Sequence, residues 1–411
     1  MKSFAFVISF ILTSVSATGF QEIYSRRVGS NCPVYRDVTI DYRTAVYEFI
    51  TEVYKDIGPR SSYHFIFSPL SVWIILAAVA EGADPYTKQQ LFRLLRLPND
   101  PCVRLKYYQL ATSRYLPGYD VSIVSTHSLV VDQSVVVNPY WHDFVSKNNL
   151  IDVVSVPFRS NPEGSLNAIK YLSSVSSLSN LDLSGNSVFV DIMDYNGLWS
   201  TAFSDAVIQR TSFYDFFGKK IGSVDMMRVT KPAKLGYLSS INAKVLDLPI
   251  GVDNRYRMLF ALILDSNDLA AKVQSIRSTI VLEFMSSSRE SYVPIDIAIP
   301  RFKMTSEINI RQILENLGVN SLWRDPNVTG GISDPAALPS GFLQRSTITL
   351  DNRGVMPSPL FSEVPYNQSA GLEEVLGRHF IANQPFMYAV FDTETYTCLM
   401  AALYSQPTYS F

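Results

Sequence analysis

The chain has 411 residues, of which 47% are apolar and 18% charged, and its formal net charge is −2. That balance belongs to a globular chain rather than a disordered one. It also excludes an overall basic field that would draw in nucleic acid or an acidic membrane surface.

The first element is a leader. Lys2 is followed by the apolar run FAFVISFIL at 4–12 and by TSVSA at 13–17, with small residues at Val15 and Ala17. This pattern predicts a secretory signal over 1–17, cut after Ala17, and a secreted, extracellular mature protein. Residues 18–37 form a polar N-terminal extension, and one domain is expected over 38–411. After the leader, the longest apolar stretch is VWIILAAVA at 72–80, too short to cross a bilayer and suited to a buried helix. No membrane insertion is expected.

Apolar spacing predicts a helix over 38–57, and FIFSPLSVWIILAAVAEGA at 65–83 reads as a short strand leading into a buried helix. Further helices are expected over 84–116, broken at Pro98 and Pro101. VSIVSTHSLVVD (121–132) and VVSVPF (153–158) read as strands, and a helix fits 164–175. The Ser-rich stretch 173–187 reads as a loop, with a Leu spacing that leaves a short helix open. Strands are then expected at 187–195, 235–250, 257–265 and 293–304, a helix over 309–319 ending at Gly318, and a strand at 346–352. PFMYAVFD (385–392) and CLMAALY (398–404) predict a closing hairpin. Helices come mostly first and strands later, without βαβ alternation, which suits a single α+β domain.

The residues offer little catalytic chemistry. His64, His127, His142 and His379 are the four histidines, and no nucleophile elbow, zinc motif, phosphate loop or dinucleotide motif is present. His64, before an apolar strand, reads as structural. An enzyme is not expected, nor is a cofactor or a metal. Lys88, Arg93, Arg96, Arg104, Lys106 and Arg114 are interleaved with acidic and apolar residues and read as a solvated face. Of the three cysteines, Cys398 lies in an apolar run and reads as a buried thiol. Cys32 and Cys102 are able to form a disulfide, and the sequence leaves that pairing open. Asn327 (NVT) and Asn367 (NQS) are glycosylation acceptors in a secreted chain.

Five segments together carry a family likeness: FSPLSVWIILAAVAEGA (67–83), GLWSTAF (197–203), KVLDLPI (244–250), IPRFKM (299–304) with ILENLGV behind it, and ANQPFMYAVFD (382–392). In this order and spacing the chain resembles a serpin from about Val38 to Pro407. The resemblance implies one domain of about nine helices and three sheets with an exposed reactive loop. Inhibitory members are cut in that loop, hold the protease as an acyl-enzyme, and insert the loop as a new central strand.

STITLDNRG (346–354) resembles the strand and hinge that precede the loop, with Gly354 at the hinge glycine. Inhibitory members continue with small residues. Here Val355, Met356, Pro357, Ser358 and Pro359 follow. Pro357 and Pro359 would share one face of an inserted strand. Each would withhold a ladder donor and strand a carbonyl opposite, at about 1–3 kcal/mol apiece. The cluster that lets the main sheet open in the family maps onto Ser68, Ser71, Asp191 and Gln344, the last two replacing the usual Asn and His. A T-x-G-x-I segment is missing, and Ala402–Leu403 stand for a G-R pair. The loop is longer by about six residues. Counted from Gly354 the scissile bond falls near Gln368–Ser369, and counted back from Pro385 it falls near Glu374–Val375. Asn367 adjoins the first position. Arg378 is a weak basic bait close to the next strand.

Two functions are therefore expected in order. The first is a monomeric, secreted serpin-family protein that does not trap proteases by insertion and acts as an extracellular binding, carrier or structural protein. The second is an inhibitor of an extracellular serine or cysteine endopeptidase through the loop at 355–380. The partner in either case is a protein or ligand outside the cell, not nucleic acid.

Overall fold

The computed structural model describes residue 32 and residues 37–113, 120–172, 181–203, 208–264, 268–291, 293–356, 377 and 379–408. Among these lie nine α-helices and three sheets in one domain. The first helix, Thr39–Arg60, buries Tyr42, Val46, Phe49, Val53 and Ile57, three or four residues apart, on one face. The second, Pro69–Gly82, is buried all round, which its unbroken apolar run requires. Proline opens the helices Pro69–Gly82, Pro85–Leu95, Pro101–Thr112 and Pro139–Lys147. At a first helical position the missing N–H costs nothing. The break expected at Pro98 and Pro101 lies between Leu95 and Pro101; Pro101 opens the following helix, and Asp100 caps it by accepting from Cys102 N and Val103 N.

The large sheet runs Asp152–Val156, Val121–Asp132, Ser187–Gly197, Pro339–Leu350, Ile295–Asn309, Lys220–Lys231, Gln209–Tyr214, with His379–Ile381 also on Ile295–Asn309. A second sheet runs Phe65–Phe67, Thr397–Tyr404, Phe386–Asp392, Tyr256–Ile263, Ala243–Ile250, Trp199–Thr201, Gly354–Met356. Val136–Val137 and Ser333–Asp334 form the third. The Pro69–Gly82 helix packs against both Ser187–Gly197 and Thr397–Tyr404, so it spans the core between the two large sheets. The closing hairpin is fixed by aromatic contacts: Tyr404 lies 4.6 Å from Phe302 and 5.1 Å from Phe386, ring centre to ring centre.

Several elements differ from the sequence reading. The run 235–250 is a hairpin, Lys234–Leu238 and Ala243–Ile250, with Asn242 at φ 52° closing the turn. The strand expected at 346–352 begins at Pro339. Arg104 is not part of a solvated face. It is only 4% exposed and donates to Glu81 Oε1 at 2.7 Å, while Tyr108 OH donates to the same oxygen at 2.6 Å. Burial would raise the Glu81 carboxyl, but the Arg104 charge and these hydrogen bonds outweigh it and hold the group below its usual range. Cys32 and Cys102 form a disulfide, S–S 2.09 Å, that ties residue 32 to the Pro101–Thr112 helix. Cys398 is buried, and burial pushes its thiol up.

His64 holds the end of the chain. Its Nδ1 accepts from Ser405 N and Gln406 N, both at 3.2 Å, and burial lowers its pKa to about 4. The folded state thus prefers neutral His64, with stability that is complete above the unfolded pKa of about 6.5 and lost as pH falls from there toward 4. The melting temperature should fall across that window, and His64→Gln should flatten the fall. An identical pH profile in the variant would exclude this role.

Candidate functional site

The site is the seam between Ser187–Gly197 and Pro339–Leu350, together with the chain that leaves its upper end. The two strands pair in parallel from Ser187 opposite Pro339 to Asn196 opposite Thr349. The seam is closed along its length, with one irregularity between Pro339 and Phe342. Nothing lies between the strands.

Beneath the seam, Gln344, Asp191, Ser68 and Ser71 come together. All four are fully buried. The Gln344 side-chain amide donates to Ser68 O at 2.8 Å and to Asp191 Oδ2 at 2.5 Å, and accepts from Ser68 N at 3.1 Å. Ser68 Oγ lies 2.7 Å from Ser71 Oγ and donates to Leu399 O at 2.8 Å. One amide therefore joins both seam strands to the start of the Pro69–Gly82 helix, and through Ser68 to the second sheet. Sequence reasoning missed a member. His127, opposite Asp191 on the neighbouring strand, places Nδ1 2.7 Å from Asp191 Oδ1. The signal was available, since the period-two alternation of 121–132 and 187–195 puts both residues on core-facing positions. Only the antiparallel register brings them opposite each other.

The hinge leaves the seam sideways. Trp199 Nε1 donates to Asp351 O at 2.7 Å, Trp199 N to Arg353 O at 3.0 Å, and Phe203 N to Asn352 O at 2.9 Å. Gly354–Met356 then pairs in parallel with Trp199–Thr201, Gly354 opposite Trp199 and Met356 opposite Thr201. A Cβ on Gly354 would run into the backbone of Ala202, so the close approach requires glycine. Gly354, Val355 and Met356 are thus an edge strand of the second sheet. Pro357, Ser358, Pro359, Asn367, Gln368, Ser369, Glu374, Val375 and Arg378 lie outside the described residues.

The far end of the loop is also anchored. His379–Ile381 pairs in parallel with Asp296–Ala298. Lys244 Nζ donates to His379 O at 2.5 Å and Gly377 O at 3.4 Å, and burial lowers its pKa to about 8. Asn327 is exposed on the short helix Pro326–Thr329, while Thr329 Oγ1 donates to Ala337 O at 2.9 Å in the interior. No His, Cys, Asp and Glu group able to hold a metal occurs among the described residues, and none of their helices is long and apolar enough to cross a membrane.

The family model for serpins (serine protease inhibitors) matches residues 44–407. The chain belongs to the serpin family. Antichymotrypsin-2 of Bombyx mori is 24% identical over 361 residues, covering 82% of this chain and 90% of that protein. An FXa-directed anticoagulant of Aedes albopictus is 22% identical over 380 residues, covering 87% and 85%. Among solved structures, uncleaved ovalbumin superposes with a TM-score of 0.76 at 19% identity, covering 88% of this chain and 98% of ovalbumin. Human thyroxine-binding globulin complexed with thyroxine gives 0.76 at 14% identity, covering 91% and 100%. The relatives thus include proteins named for protease inhibition or anticoagulation and one solved as a complex with a hormone.

Gln344→Leu should strip the partners from Ser68 N, Ser68 O and Asp191 Oδ2 at once. The expected cost is about 3 kcal/mol or more, read as a lower denaturant midpoint. A loss under about 1 kcal/mol, the net worth of one ordinary hydrogen bond, would show that the amide does not hold the seam.

Proposed function

We propose that this protein is a secreted member of the serpin family that does not trap proteases by loop insertion and acts as an extracellular binding or carrier protein. It has no catalytic role. One observation carries the reading: the hinge Gly354–Met356 is already used, zipped to Trp199–Thr201 in the second sheet. To enter the seam it would have to leave that edge. It would also have to part the Gln344–Asp191 hydrogen bond and feed Pro357 and Pro359 into a central position, where each withholds a donor. The first two steps remove existing bonds, and the third forms an incomplete ladder.

The leader over 1–17, cut after Ala17, and glycans on Asn327 and Asn367 belong to this reading. Thr329 is interior in the folded chain, so attachment at Asn327 fits modification before folding is complete. A second reading, inhibition of an extracellular serine or cysteine endopeptidase through residues 355–380, draws on the relatives named as an antichymotrypsin and an anticoagulant.

Limited proteolysis of the loop separates the two. If the nicked protein melts within a few degrees of the intact one and forms no SDS-stable protease complex, insertion is absent. A large rise in melting temperature, or a covalent protease adduct, would establish the second reading instead. Glycosidase treatment of the secreted protein should lower the mass of peptides carrying Asn327 and Asn367. Unchanged masses would remove the glycans from the account.

A further inference from the structure

The last two strands of the large sheet, Gln209–Tyr214 and Lys220–Lys231, are joined by a turn that carries an exposed run. Phe217, Gly218, Lys219, Lys220 and Ile221 are all exposed in succession. Phe217 is 76% exposed and Ile221 39%. A phenylalanine ring left so open in water gains none of the transfer free energy that burial would bring.

The tip is firmly held. Asp215 Oδ1 accepts from Phe217 N and Lys219 N, both at 2.9 Å. Asp215 O accepts from Gly218 N at 3.1 Å, and Asp215 N donates to Lys219 O at 2.9 Å. Gly218, at φ 75°, takes the left-handed position, and nothing lies within 4 Å of where its Cβ would be. Beneath the turn, Phe213 is fully buried against Tyr404, ring centres 5.5 Å apart, and Phe216 packs half-buried on the core. The acids of the two strands and their turn are already engaged. Asp215 serves the turn, and Asp225 meets Arg210 at 2.9 Å and Arg301 at 3.9 Å. Lys219 and Lys220 have no ion-pair partner among the described residues.

We propose that this tip docks the protein on an anionic phospholipid surface, with Phe217 and Ile221 at the boundary between headgroups and acyl chains and the Lys219 and Lys220 ammonium groups on lipid oxygens. Affinity for such a surface scales with the apolar area buried plus the attraction to anionic lipid, and residues 217–221 supply both. The long lysine stems let the charges stay at headgroup level while the ring goes deeper. A stable protein interface takes about 20–30 residues a side, far more than this short projecting run offers. The whole chain carries a net charge of −2, so the attraction is local and acts within a Debye length of the surface. No spanning segment is needed. The inference stands apart from the loop, because neither the hinge nor the seam contributes a residue to it.

Co-sedimentation of the intact protein with phosphatidylcholine vesicles, with and without phosphatidylserine, tests it. Phosphatidylserine should strengthen binding at least tenfold, and high salt should remove that gain. Lys219→Gln combined with Lys220→Gln should remove it too, since each lysine close to such a surface is worth roughly fivefold. Phe217→Ser should weaken binding to the phosphatidylserine vesicles at least tenfold without moving the melting temperature, because the ring is in solvent. Phe217→Trp should keep the binding and gain fluorescence that lipids brominated on their acyl chains quench, which reports where the ring sits. No vesicle binding, equal binding without phosphatidylserine, undiminished binding after the lysine or the Phe217→Ser substitutions, or no quenching in the Phe217→Trp variant would each overturn the proposal. Undiminished binding of Phe217→Ser alone would mark a purely electrostatic polyanion site instead.

Discussion

One side-chain amide sets the state of this molecule. Gln344 bridges its own strand to Asp191 on the neighbouring strand and to both backbone groups of Ser68 at the head of the buried helix. Because the helix reaches the second sheet through Ser68 and Leu399, the seam cannot part without disturbing the core behind it. In a water-free interior, each group the amide satisfies would cost free energy if left alone. Parting the seam therefore removes several hydrogen bonds at once, not one contact.

The hinge reinforces that arrangement from outside. A strand that leaves the large sheet at Leu350 and joins the second sheet at Gly354 has a few residues in which to turn. Trp199 pins the turn with both its backbone N–H and its indole N–H. Glycine at 354 makes the junction tight enough for a parallel pairing. At the distal end Lys244 and the His379–Ile381 strand hold the other attachment. Both ends of the loop are thus integrated into sheets. Release of either end requires loss of these hydrogen bonds.

Much of the fold was legible because its signals are local. The helix 39–60 follows from apolar spacing, the helix 69–82 from an unbroken apolar run, and the closing hairpin from two short apolar strands flanking TETYT. The four cluster residues were found by resemblance rather than by pattern. His127 was not, because its role depends on the register with a strand 64 residues away. The strands Gln209–Tyr214 and Lys220–Lys231 escaped notice because each keeps polar residues on an exposed face. The helices Leu269–Ser275 and Ile280–Ser287 are too short to show a period. Arg104 looked like one more surface cation, and only the fold sets Glu81 against it.

The central claim is that the hinge does not enter the seam even when the loop is severed. Hydrogen exchange of the nicked protein, resolved to residues 355–368, measures this directly. The account predicts that these amides exchange at the rate of unstructured chain after cleavage, while Leu343–Thr349 keep the protection they had before. Protection of 355–368 lasting as long as that of the seam strands would mean that the segment has become a strand among them, and would contradict it.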